Sequence, residues 1–128
     1  MPLKVVINNR EPGIFSVTLF GPLDTATYTT LEKEVKPILV DSTKAVILNM
    51  EGVNYISSMG IGAVFNLRKS VQDIRGTLVI TNLQPQVKKV FDTVKALPEA
   101  IFKSIEEADV YLNEIQRKVL EKDKPSAY

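Results

Sequence analysis

The sequence predicts a single mixed α/β domain, with a mostly parallel β-sheet, an N-terminal antiparallel hairpin and flanking helices. Three observations lead to this class. Short β-branched runs alternate with stretches whose apolar residues recur every three or four positions, the pattern of strands joined by crossover helices. The first two strand-like runs are separated only by Asn9-Arg10-Glu11-Pro12-Gly13, a hairpin loop. The 128 residues, 45% hydrophobic and 24% charged, suit one soluble core and leave no composition break where a second domain could begin.

Taken in order, Leu3 to Asn8 and Ile14 to Phe20 form the hairpin strands. Gly21-Pro22-Leu23-Asp24-Thr25 stops the second, and Tyr28, Leu31, Val35 and Ile38 or Leu39 mark one face of a helix whose last turn meets Pro37. Ala45-Val46-Ile47-Leu48-Asn49-Met50 is a continuous apolar run, expected to be a central strand covered on both faces. Ile61, Val64, Leu67, Val71 and Ile74 then predict a helix from about Ser58 to Arg75, stopped at its C-terminus by Gly76. Thr77 to Thr81 reads as a strand and Gln84 to about Lys95 as a helix with Val87, Val90, Phe91 and Val94 inward. Ile101-Phe102 suits a short edge strand. Ile105, Ala108, Leu112, Ile115 and Val119 give a final amphipathic helix. The domain is expected over residues 1–121, and residues 122–128 form a polar tail with no core face.

The inventory excludes much chemistry. With no cysteine and no histidine, the chain has no thiolate nucleophile, no Ser-His-Asp triad and no Cys- or His-ligated metal site. No catalytic residue, metal or cofactor is expected. The formal charge of +1, with both signs interspersed, does not suit nucleic acid. No apolar stretch approaches the roughly 20 residues needed to cross a bilayer, and the N-terminus lacks the features of a signal peptide. A cytoplasmic chain without membrane insertion is the expectation.

The informative stretch is Tyr55-Ile56-Ser57-Ser58-Met59-Gly60-Ile61-Gly62. Ser58 falls where an N-cap would sit, and Gly60 and Gly62 each cost about 1 kcal/mol against alanine inside a helix. Either the helix start packs closely on a strand or something outside must approach its backbone. Gly60-Ile61-Gly62 begins a dinucleotide-binding pattern, but Phe65 stands where the third glycine belongs and no P-loop lysine follows. A phosphate on Ser58 fits better, since it would add about −1.5 to −2 charges at the positive end of a helix. Asp24, before Thr25, reads first as a helix cap, and Tyr55 and Ile56 read as core.

Asn49 to Gly62, with Gly21-Pro22-Leu23-Asp24 and the Gly76 to Val87 segment containing Leu83-Gln84-Pro85, resembles the STAS domain of sulphate transporters and anti-sigma factor antagonists. The resemblance covers nearly the whole chain. It implies a STAS-type sheet and a protein-binding switch in place of an enzyme. In the antagonist branch the serine aligned with Ser58 is phosphorylated by a partner anti-sigma factor serine kinase and dephosphorylated by a PP2C-type phosphatase. The resemblance further implies a partner-binding surface of Asp24, Ser57, Ser58, Met59, Gly60, Ile61 and Gly62. The sequence departs from the family pattern twice. Ser57 replaces the usual aspartate and offers an alternative phosphate acceptor, and Met59 replaces the second hydroxyl with an adaptable apolar contact. Those departures leave a second reading, a STAS structural subunit of a transporter or signalling scaffold that is never phosphorylated.

Overall fold

In the computed structural model, which describes residues 2–96 and 105–122, four strands form one sheet in the order β1-β2-β3-β4. β1 (Lys4–Glu11) and β2 (Ile14–Phe20) pair antiparallel, and β3 (Ala45–Gly52) and β4 (Thr77–Thr81) continue the sheet in parallel. The hairpin is tighter than its sequence suggests. β1 runs on to Glu11 through an irregularity between Asn9 and Glu11, which leaves Pro12-Gly13 as the turn, with Gly13 at φ 80°.

Helix α1 (Tyr28–Val35) passes into a 3₁₀ turn, Lys36–Ile38, because Pro37 lacks the N–H that would continue an α-helix. Leu31, Val35 and Ile38 point into the core as their spacing requires. α2 (Ser58–Asp73) contributes Ile61, Ala63, Val64, Leu67 and Val71 to the same core, and α3 (Pro85–Ala96) contributes Val87, Val90 and Phe91. α3 starts with Pro85 in its first turn, where a missing N–H costs nothing. The last helix, α4 (Ile105–Lys122), reaches Lys122, one residue into the segment expected as tail. The expected Ile101-Phe102 strand and residues 123–128 lie outside the described residues.

Two expectations are corrected. The left-handed residue after α2 is Arg75 (φ 64°) and not Gly76. The Arg75 N–H bonds the Gln72 carbonyl at 2.9 Å and the Gly76 N–H bonds the Val71 carbonyl at 2.8 Å, the paired bonds of a Schellman cap, so the stop falls one residue early. The other correction concerns β3. Val46, Leu48 and Met50 are fully buried, but Ala45, Ile47 and Asn49 between them are only partly so. On the same open face Val79 is 44% exposed and Phe20 47% exposed. A continuous apolar run does suit a doubly covered strand, but in this sheet the described helices bury one face only.

Candidate functional site

The chain leaves β3 at Gly52 and makes one further sheet-like contact before α2. The Leu23 N–H bonds the Tyr55 carbonyl and the Ser57 N–H bonds the Leu23 carbonyl, each at 3.0 Å, an isolated parallel bridge between Leu23 and Ile56. The bridge fixes the site, because it brings the Asp24 turn beside the serines and holds Ser57 extended.

Ser57, at φ −100° and ψ 176°, is therefore the N-cap of α2, and its hydroxyl accepts from the Gly60 N–H at 3.3 Å. The expectation that Ser58 caps the helix is corrected by one position. Ser58 is the first helical residue. Its backbone N–H donates to Asp109 Oδ1 of α4 at 2.8 Å, while its Oγ is buried and has no hydrogen-bond partner among the described residues. A cap hydroxyl typically contributes about 0.5–2 kcal/mol. Thermal unfolding should therefore show Ser57→Ala melting several degrees lower, while Ser58→Ala stays near the parent. The reverse order would place the cap on Ser58.

The two glycines differ. A Cβ on Gly60 would lie 2.3 Å from the Leu23 carbonyl oxygen and 2.9 Å from Ile56 Cγ1, so the helix start can approach the bridge only without a side chain there. A Cβ on Gly62 would meet nothing within 4 Å among the described residues. Gly60 answers to the fold, and Gly62 does not.

Asp24 acts as a turn-former. Its Oδ1 accepts from the Ala26 N–H at 3.0 Å and stands 3.1 Å from the Thr27 hydroxyl, which also accepts from the Asp24 N–H at 2.9 Å. Thr27, the residue preceding α1, makes no side-chain cap bond of its own. Of the expected surface residues, Ser57, Gly60 and Ile61 are buried, whereas Asp24, Ser58, Met59 and Gly62 are partly exposed.

The residues that sequence reasoning missed come from α3 and α4. Gln86 Nε2 donates to the Asn54 carbonyl at 2.9 Å. Gln116, 2% exposed, turns its carboxamide onto Ile56, with Oε1 accepting from the Ile56 N–H at 3.0 Å and Nε2 donating to its carbonyl at 2.8 Å. The amide thus replaces the peptide group of a missing neighbour strand. The Tyr55 hydroxyl donates to Asn113 Oδ1. Burial first, and then the carboxylates of Asp109 and Asp24, push the Tyr55 phenol above its ordinary value, against the pull of the Asn113 bond. Both carboxylates therefore bear on one small region. Gln116 sits four residues beyond Leu112 on the apolar stripe of α4, a polar side chain at a core position, and that was the legible signal.

The STAS domain family model matches residues 6–108 of the chain. The chain is a STAS-domain protein. BtrV of Bordetella bronchiseptica, named as a candidate anti-sigma factor antagonist, is 30% identical over 84 residues, which span 66% of this chain and 72% of that protein. An anti-sigma F factor antagonist of Lysinibacillus sphaericus is 26% identical over 92 residues, 71% of this chain and 77% of the relative. Among solved structures, the anti-sigma factor antagonist SpoIIAA in its unphosphorylated form superposes at a TM-score of 0.59 with 20% identity, covering 86% of this chain and 98% of its own. Its phosphorylated form gives 0.60 with 20% identity over 71% and 83%. At that identity the likeness establishes the STAS fold. None of the described helices of this STAS domain is long and apolar enough to cross a membrane.

Proposed function

We propose that this STAS-domain protein is an anti-sigma factor antagonist that works by partner switching. Unphosphorylated, it binds an anti-sigma factor that is itself a serine kinase. Phosphorylated on Ser58, it releases that partner, and a PP2C-type phosphatase restores the binding form. The kinase activity belongs to the partner. The γ-phosphoryl of ATP moves to Ser58 Oγ, the hydroxyl proton leaves to a base of the kinase, and ADP departs.

The observation that carries this reading is the position of Ser58, the first residue of α2, with a hydroxyl that has no partner among the described residues. A phosphate there would lie at the positive end of a 16-residue helix, where anions are stabilised. Ser57 is the poorer acceptor, because its hydroxyl already caps Gly60 and the residue is 3% exposed. The names carried by the relatives from Bordetella and Lysinibacillus support the same function.

Incubation with the cognate anti-sigma kinase and ATP, followed by peptide mass spectrometry, should place one phosphate on Ser58. Phosphate on Ser57, or none with a kinase proven active on another substrate, contradicts the assignment. Gly62 supplies a companion result. Gly62→Ala should raise stability by up to about 1 kcal/mol through helix propensity, since its methyl meets no described residue, yet lower partner affinity by standing in the path of an approaching surface. Thermal unfolding and calorimetry read the two effects separately, and a Gly62→Ala protein that binds with parental affinity would remove Gly62 from the partner surface.

A further inference from the structure

The serine assigned to the switch is partly exposed, but its hydroxyl oxygen is buried. Three side chains along one stripe of α4, Asp109, Asn113 and Gln116, grip the three residues Tyr55, Ile56 and Ser58. Asp109 occupies the first turn of α2 through the Ser58 N–H, the same positive end that a phosphate on Ser58 would seek. All three gripping residues lie beyond residue 108, where the family match ends.

From this arrangement we propose that α4 is a releasable clasp over Ser58, and that docking of α4 and a phosphate on Ser58 exclude one another. The inference rests on the function proposed above and adds its regulation.

Two features favour release. The apolar part of the clasp is small, with Ile115 only partly buried against the core. Among the described side chains of α4, Leu112 is the one fully buried apolar group, against five on α2, and Gln116 is buried beside it. The second feature is charge. A phosphoserine dianion would stand next to the Asp109 carboxylate that bonds its own backbone, and like charges at such range repel. Outside the grip, Arg117 pairs with Glu114 and Glu121 across neighbouring turns of α4, pairs that support the helix whether or not it is docked.

The clasp makes the unphosphorylated chain a guarded substrate, because a kinase reaches Ser58 Oγ only when α4 lifts. Amide hydrogen exchange tests the exclusion without any kinase, on protein carrying phosphoserine installed at position 58 during synthesis. The α4 amides, followed on fragments from residues 105–122, should lose protection at least about fivefold relative to the unmodified chain, the factor that one lost hydrogen bond gives in an opening equilibrium, while β2 and β3 keep theirs. Unchanged protection in α4 overturns the proposal. Guarding is tested by Gln116→Ala, which removes the carboxamide from Ile56, and by Asp109→Asn, which keeps the size and removes the charge. At least one of the two should retain strand protection, speed exchange in α4, and take phosphate on Ser58 at least about fivefold faster. Faster α4 exchange with an unchanged phosphorylation rate overturns the guarding role. If phosphoserine frees α4 but leaves partner affinity unaltered, the clasp stands and the partner-switching reading falls.

Discussion

Gly60→Ala is expected to destabilise the protein by about 3 kcal/mol or more, on the order of 10 °C in melting temperature, despite the helix propensity that alanine adds. The added methyl carbon would lie 2.3 Å from the carbonyl oxygen of Leu23, a backbone atom that cannot turn aside, and 2.9 Å from Ile56 Cγ1. Relief requires the first turn of α2 to back away from the Leu23–Ile56 bridge. That bridge also holds Ser57 extended as the cap, so the strain should spread to the serine loop. Thermal unfolding compared with Gly62→Ala, where the same substitution meets open space, isolates the effect. Equal melting temperatures for the two variants would mean that the helix start does not press on Leu23 as described.

Ser58→Asp should weaken binding to the anti-sigma partner more than tenfold, about 1.4 kcal/mol, while Ser58→Ala binds nearly as the parent does. The alanine variant removes a hydroxyl that has no hydrogen bond among the described residues and does not cap the helix, so neither fold nor surface should suffer much. The aspartate adds a negative charge where Asp109 already sits on the Ser58 N–H. Calorimetry on folded samples decides between charge and shape. Two variants of equal affinity would show that charge at this position does not work the switch.

The fold was legible wherever periodicity was strong. The spacing of Leu31 and Val35 marks α1, and that of Ile61, Val64, Leu67 and Val71 marks α2. Errors of one residue arose where two adjacent groups could each do one job. In the pair Ser57-Ser58 either hydroxyl can cap a helix, and only the bridge to Leu23, a contact distant in sequence, decides that Ser57 is the extended one. At Arg75-Gly76 the sequence points to glycine as the stop, but the left-handed residue is Arg75, and Gly76 sits where a Cβ would be tight, 3.0 Å from Val71 Cγ1 and 3.2 Å from the Lys44 carbonyl. The open face of the sheet was not readable from β3, because Ile47 is as apolar as its buried neighbours Val46 and Leu48. The grip of α4 was hardest of all. Asp109 and Ser58 are separated by 51 positions, and Gln116 and Ile56 by 60, so no local pattern connects them.

The most direct measurement of the switch is the affinity of one preparation for the anti-sigma partner in three states: unphosphorylated, fully phosphorylated on Ser58, and returned to the first state by a PP2C-type phosphatase. Tight binding, then a loss of more than tenfold, then recovery of the original affinity is the expected sequence. Equal affinity in all three states would contradict it.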